Sequence, residues 1–435
     1  MGSKTPPSER KVLLLTREYP PEVYGGAGVH VDYLSRELAR LIPVDVRTFG
    51  DQDIRAGNLV VRGHRFAQGE AGEAPEKFLM ALQALRISVS FAARPIDADV
   101  VHCHTWYAQF GGLVAKILYG IPLVITAHSL EPLRPWKREQ LGRGADLSLW
   151  IEKTAMEAAD AVIAVSQEMR ADILRHFNVV PEKVHVIGNG IDTDEYRPVS
   201  GREHLDRYGI DLARPSVLFV GRISRQKGIL HLVNAIPHLD PGVQVVLCAG
   251  TADEPEIAKE VEEAVDRARA TRDGIIWIRE MVDRPTAIEL YSHAAVFCCP
   301  SIYEPFGIIN LEAMACETPV VASAVGGIKE VVAHGETGSL VPLEQRAESP
   351  FEPLDPGRFS QDLARAINTL LADEGLRKAM GAKGRQRAEA LFSWRAVVGQ
   401  VLALYESLVR PGERAAILPD PPVSASRSTP KEDLP

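Results

Sequence analysis

The sequence predicts an α/β protein made of two doubly wound parallel-sheet units that face each other across a cleft. Three observations carry this. Short apolar runs alternate with stretches of helical period along most of the chain. The runs hold β-branched residues on both parities, as strands buried on both faces do. The alternation also starts afresh after Gly209, so the pattern occurs twice. At 435 residues the chain exceeds what one hydrophobic core usually holds, which agrees with two units.

In the first unit KVLLLT at 11–16 is the opening strand, followed by a glycine-rich loop and a helix from about Val29 to Leu41. VDVRTFG at 44–50, ADVVHCH at 98–104, PLVITAH at 122–128, AVIAVS at 161–166 and VHVIGNG at 184–190 continue the strand series. Helices are expected at roughly Phe78–Ala92, Leu147–Ala159 and Gln167–His176. The polar stretch Asp192–Asp211, with Pro198 and Gly201, reads as the linker. In the second unit the strands are SVLFVGR at 216–222, QVVLCAG at 244–250, GIIWIRE at 274–280, AAVFCCPS at 294–301, TPVVASAVGG at 318–327 and GSLVP at 338–342. Helices are expected at about Gly228–Ile236, Glu254–Ala270, Arg284–His293 and Ile309–Ala315. The domains predicted are thus 11–200 and 201–393, both Rossmann-like, between a disordered start at 1–10 and a Pro-, Ser- and charge-rich disordered tail at 410–435.

Composition narrows the function. A formal charge of −9 argues against broad nucleic-acid binding, so a polyanionic ligand must be met by a few local cations. The five cysteines form no metal-ligand spacing and no even framework, which fits structural free thiols in a reducing compartment. The polar N-terminus has no apolar segment of a signal peptide, and no run of about 18 apolar residues suggests a membrane span. A cytoplasmic location is the expectation.

The motifs that carry chemistry fall where strands end, and ligands of such folds gather at those ends. EYPPEVYGGAGVH at 18–30 places Gly25, Gly26 and Gly28 between a strand and a helix, where backbone N–H groups can approach a phosphate or simply make a tight turn. VGRISRQKG at 220–228 sets Arg222 and Lys227 on one strand-to-helix loop, within reach of one anion. A leaving diphosphate gains charge as its glycosidic bond breaks, so fixed cations favour the transition state. YEPFGIINLEAMA at 303–315 puts Glu304 in a loop and Glu312 about one turn into a helix, two carboxylates suited to sugar or ribose diols. Free N–H groups at Gly307, Ile308 and Ile309 can hold a pyrophosphate. HCH at 102–104 and TAHS at 126–129 add His104 and His128 at adjacent strand ends, without the further ligands zinc needs. Asp51-Gln52-Asp53 is a literal DxD, read here as a polar loop, since the cations at 222 and 227 make a metal redundant.

Taken together, Gly25-Gly26-Ala27-Gly28, Gly221-Arg222 with Lys227, and Glu304-Pro-Phe-Gly…Glu312 resemble the retaining GT-B glycosyltransferases of family 4, over nearly the whole chain. LTREYPPEVYGGAGVH at 15–30 and HSLEPLRPWKREQLG at 128–142 look like the actinobacterial-type glycogen synthase and α-maltose-1-phosphate synthase branch. The resemblance implies a retaining hexosyltransferase that uses a nucleotide sugar, ADP-glucose in this branch, without metal or other cofactor. It implies an α-1,4 bond made in glycogen or α-glucan metabolism, the acceptor being glucose-1-phosphate or an α-glucan. On this likeness Arg222 and Lys227 take the donor phosphates, Glu304 addresses the transferred hexose and Glu312 the ribose. Gly25, Gly26, Gly221, Phe306, Gly307, Ile308 and Ile309 complete the donor site. His128 lies beneath the anomeric carbon, and His104 and Tyr24 line the acceptor side. A C-terminal helix at about Trp394–Val409 is implied to cross back onto the first domain. The glycine loop reads VYGGAG without the lysine of the polymer-elongating KTGGL loop, which favours a small acceptor.

Arg134, Lys137 and Arg138 could receive a phosphorylated sugar, or form a solvated loop. An epimerase or hydrolase acting on the nucleotide sugar itself is the alternative, since such enzymes share the architecture. The partners expected are the nucleotide sugar and the acceptor, and a homodimer is left open.

Overall fold

The computed structural model describes residues 10–23, 25–65, 75–134, 138, 141–250, 252–346, 348 and 351–409. The tail expected to be disordered therefore lies outside the described residues, as do all but the last of the first ten. The first unit contains β1 (Val12–Leu15), α1 (Gly26–Ala39), β2 (Val44–Phe49), β3 (Asp53–Ala56), β4 (Leu59–His64), α2 (Glu76–Ala92), β5 (Val100–His104), α3 (Trp106–Tyr119), β6 (Leu123–Ala127), α4 (Gly144–Ala158), β7 (Ala161–Ala164), α5 (Gln167–His176) and β8 (Val184–Val186). Its eight strands run in the order β3-β4-β2-β1-β5-β6-β7-β8 and are parallel except for β3.

The second unit contains β9 (Ser216–Val220), α6 (Ile229–Ala235), β10 (Gln244–Cys248), α7 (Pro255–Arg269), β11 (Ile275–Ile278), α8 (Arg284–His293), β12 (Val296–Cys299), α9 (Ile308–Ala315), β13 (Val320–Ser323), α10 (Ile328–Val331), β14 (Gly338–Val341), α11 (Pro356–Leu371) and α12 (Glu374–Phe392). Its sheet runs β11-β10-β9-β12-β13-β14, all parallel. Every strand expected from the apolar runs forms. β1 shows why: its four residues are buried on both faces, and Leu14 lies between Val46 of β2 and His102 of β5.

Some expectations are corrected. Asp53 does not sit in a loop but opens β3, a fully exposed antiparallel edge strand that pairs with the unforeseen β4. The first helix begins at Gly26, three residues earlier than Val29, so Gly25 becomes its N-cap. Helices α3, α10, α11 and α12 were not foreseen.

A last helix, α13 (Trp394–Leu408), leaves the second unit and runs along the first. Its Trp394, Val397, Val398 and Val401 share a core with Val31, Leu34 and Leu38 of α1 and with β1. The Tyr405 hydroxyl lies 2.6 Å from His102 Nδ1. Nearby, Ile191 N–H donates to the Phe392 carbonyl at 2.8 Å, and across the cleft edge Gln167 N–H donates to the Glu330 carboxylate at 2.7 Å. All five cysteines are buried and unpaired. Among the described residues no helix is long and apolar enough to cross a membrane.

Candidate active site

In each sheet the strand order reverses beside one strand, β1 in the first and β9 in the second, and a crevice opens beyond the carboxyl ends at such a point. The two crevices face each other and form one cavity. The wall from the first unit carries Arg17 and Glu18 after β1, Gly25 and Gly26 at the start of α1, Thr105 to Tyr107 after β5, and His128 to Arg134 after β6. The opposite wall carries Arg222, Gln226 and Lys227 after β9 and the run from Tyr303 to Ile309 after β12. The walls come close where a Cβ at Gly26 would sit 3.7 Å from the Ile308 side chain. Helices α1 and α9 thus both point their N-termini into the cavity, where unpaired N–H groups and the helix dipole favour an anion.

On the second-unit wall the charges are already paired. Lys227 Nζ lies 2.6 Å from Glu304 Oε2, both side chains largely buried, and Ser301 Oγ donates to the same oxygen at 3.2 Å. Burial alone would depress the Lys227 ammonium, but the Glu304 carboxylate outweighs it and holds the lysine above its usual range. Arg222 is paired with Asp253. The loop carrying Glu304 is braced from behind by Gly326-Gly327: the Gly327 N–H donates to the Glu304 carbonyl at 3.0 Å. Gly326 has φ +51°, and a Cβ there would fall 1.8 Å from that same carbonyl oxygen, so only glycine fits.

The first-unit wall is built differently. His104 Nδ1 meets His128 Nε2 at 3.1 Å, and His30 of α1 packs its ring 4.8 Å from that of His128. Behind them His102 Nε2 meets Thr126 Oγ1 at 2.7 Å. Burial, with the neighbouring rings adding to it, holds His104 and His128 well below the usual imidazole range, and burial lowers His30 to about 4 and His102 to about 3. The floor is therefore a stack of neutral imidazoles. Ring nitrogens of His30, His104 and His128 lie within 4.8 Å of one another. A tetrahedral zinc would need them roughly 3.4 Å apart, from its Zn–N distance of about 2.1 Å. With one pair already hydrogen-bonded, the geometry fits a bonded stack better than a metal site.

Several buried polar atoms have no protein partner among the described residues, and Thr105 Oγ1, Trp106 Nε1 and Tyr303 Oη all belong to residues that line the cavity. Thr105 also has φ +63°, a strained conformation for a β-branched residue, at the turn that leads into α3. Glu131 and Glu152 lie on the same wall; Ser148 Oγ donates to Glu131 at 2.7 Å, and burial together with the Glu131 charge pushes Glu152 well above the usual carboxylate range.

Of the residues singled out from sequence, Gly25, Gly26, His128, Arg134, Arg222, Lys227, Glu304, Phe306, Gly307, Ile308 and Ile309 line this cavity. Gly221, Glu312, His104 and Arg138 do not. Gly221 lies at the root of the Arg222 loop, its N–H donating to the Cys248 carbonyl at 3.1 Å. Glu312 is half-buried on α9, where it accepts the Tyr291 hydroxyl at 2.8 Å; burial raises its carboxyl although Tyr291 and Tyr196 lower it. His104 stands behind His128 rather than at the surface of the wall, because β5 is buried on both faces. Arg138 is exposed and paired with Asp146, outside the cavity. Tyr24 and Lys137 lie outside the described residues. Sequence reasoning missed Arg17, Glu18, Thr105, Trp106, Tyr107, Glu131, Glu152 and Asn189, although Arg17 and Thr105 follow strand ends, the one signal that could have raised them.

Comparison with known proteins gives matches along most of the chain. Residues 24–195 match the model of Glycosyltransferase Family 4, and residues 201–350 that of Glycosyl transferases group 1. The chain is 48% identical to the alpha-maltose-1-phosphate synthase of Mycolicibacterium smegmatis over 92% of its own length and 99% of that protein's. It is 32% identical to the D-inositol 3-phosphate glycosyltransferase of Xylanimonas cellulosilytica over 71% of each chain. Among solved structures, sucrose-phosphate synthase from Thermosynechococcus elongatus superposes with a TM-score of 0.73 at 27% identity, covering 92% of this chain and 99% of that one. Anabaena HepE in complex with UDP-glucose superposes with a TM-score of 0.69 at 23% identity, covering 92% and 100%.

Proposed function

The chain belongs to glycosyltransferase family 4, has the GT-B fold and is a hexosyltransferase, and from that premise we propose that it transfers glucose from ADP-glucose to the 4-hydroxyl of glucose-1-phosphate, giving α-maltose-1-phosphate with retained configuration. One observation carries the reading: a single cavity sets the Arg222, Lys227 and Glu304 cluster on one wall against Thr105, Trp106, His128 and Asn189 on the other. The first suits a diphosphate and the hexose attached to it. The second suits an acceptor rich in hydroxyls. The high identity to alpha-maltose-1-phosphate synthases over almost their whole length supports the phosphorylated acceptor.

In the proposed reaction the bond from the anomeric carbon to the diphosphate oxygen breaks while the acceptor oxygen bonds to the same face. The acceptor's proton passes to the departing phosphate oxygen. Arg222 and Lys227 stabilise the charge that develops there, and the N-termini of α1 and α9 add partial positive charge. Lys227 must exchange part of its bond with Glu304 for the phosphate, which frees that carboxylate for a hexose hydroxyl. His128, neutral, offers a hydrogen bond beside the reacting carbon rather than a charge. Glu312 takes the ribose diol in this reading. No metal is required, because the cations neutralise the leaving group. The five free buried thiols support a cytoplasmic setting.

Mass analysis of products tests this directly. ADP-glucose with glucose-1-phosphate should yield a disaccharide phosphate, faster than ADP-glucose with glycogen extends polymer. Nucleotide release at the same rate without any acceptor would instead indicate hydrolysis and end the proposal.

A further inference from the structure

We infer that Arg17 binds the acceptor's phosphate and thereby sets the preference for a phosphorylated sugar over a neutral glucan end. This rests on the phosphorylated-acceptor reading above and assigns a residue to it. Arg17 follows β1 at the switch point of the first sheet and lines the cavity. Its guanidinium carbon lies 4.2 Å above the centre of the Tyr107 ring, and Tyr107 is itself stacked on Trp106 with ring centres 4.0 Å apart. Both aromatic side chains are buried, so the plate under the guanidinium is rigid. Stacking by its flat face leaves the N–H edge of an arginine available, and that edge matches two oxygens of a phosphate.

What separates Arg17 from the other cavity cations is that it forms no ion pair among the described residues. Lys227 is held by Glu304 and Arg222 by Asp253. Arg134 lies 3.7 Å from Glu131 and donates to Ser129 Oγ at 3.4 Å. Among the described residues Arg17 forms no ion pair, and the carboxylate of its neighbour Glu18 accepts the Gly25 N–H at 2.8 Å. A half-buried cation without an anion is left to bind one brought by a ligand. The donor diphosphate already has Arg222 and Lys227 across the cleft, so a second anion on the Arg17 wall belongs to the acceptor.

Arg17→Gln and Arg17→Lys, assayed with ADP-glucose against glucose-1-phosphate and against maltose, test the assignment. For Arg17→Gln the KM for glucose-1-phosphate should rise about 100-fold, the scale of a lost charge-assisted hydrogen bond, and for Arg17→Lys about tenfold. Transfer to maltose should change less than threefold (about the scatter of a surface substitution). ADP affinity should stay unchanged in both, which also verifies that they fold. Wild-type enzyme that uses glucose-1-phosphate while Arg17→Gln keeps its KM would refute the role of Arg17 alone and leave the reaction standing. Wild-type enzyme that cannot use glucose-1-phosphate would overturn both.

Discussion

The two walls of the cleft solve opposite electrostatic problems. The wall of the second unit stores charge in matched pairs, Lys227 with Glu304 and Arg222 with Asp253, and so needs no ligand to remain folded. The wall of the first unit sets imidazoles held deprotonated by burial and indole and phenol rings beside Arg134 with Glu131, and beside an arginine, Arg17, that forms no ion pair among the described residues. Paired cations can trade a carboxylate for a phosphate as a bond breaks, which is when such a trade accelerates the reaction. A wall of neutral rings with scattered hydrogen-bonding atoms selects by shape and by individual bonds. On the proposed reaction, the difference assigns the chemistry to one side and the choice of acceptor to the other.

Acid should separate the walls most strongly. A histidine buried neutral has its folded pKa below its unfolded value, so its contribution is fully present above about 6.5 and is lost as pH falls toward the folded pKa. In the first unit His30 and His64 lie at about 4 and His102 at about 3, burial being the largest cause for each, whereas the second unit has His231 at about 4. At pH 5.5 each such histidine removes roughly 1 kcal/mol, and because burial lowers His104 and His128 as well, the first unit should lose several times more stability than the second. Hydrogen exchange at pH 7 and 5.5 should show protection falling first in β1, β5 and α1. Equal loss in both units would break the contrast.

Lys227→Ala comes next. Removing one transition-state cation should lower kcat by about 100-fold, and this without raising the acceptor KM more than twofold, since the lysine is on the far wall. A steady-state series in both substrates reads this split; a change confined to the acceptor KM would reverse the roles of the walls. The smallest effect is expected at the DxD. Asp53 is exposed on the edge strand β3, so Asp53→Asn should leave kcat within about twofold and stability within about 0.5 kcal/mol, and EDTA should leave activity intact. Loss of activity that Mg²⁺ restores would place a metal where the paired cations now stand.

How far the sequence revealed this varies by element. Parallel strands were legible because burial on both faces leaves unbroken apolar runs such as VLLL and AVIA. The hairpin β3–β4 was not, because an exposed edge strand reading DIRA has no hydrophobic period to betray it. Helix α3 hid behind Gly111-Gly112. Glycine disfavours a helix locally, yet a Cβ at 112 would sit 2.1 Å from Cys103 Sγ, so tertiary packing on β5 overrules propensity. In the site, Arg222, Lys227 and Glu304 stood out because charge beside a buried strand is conspicuous. Arg17 did not, since its meaning depends on Tyr107, ninety residues away by chain and adjacent in space.

The path of α13 has a consequence for how such enzymes are recombined. Because residues 394–408 follow the second unit in the chain but shelter the first, with Tyr405 bonded beneath its histidines, the molecule has a keel belonging to both halves. A hybrid that borrows its nucleotide-sugar half from a relative therefore needs two junctions, one near 200 and one near 393. A single crossover would graft a foreign keel against α1 and strip the histidine floor of its support.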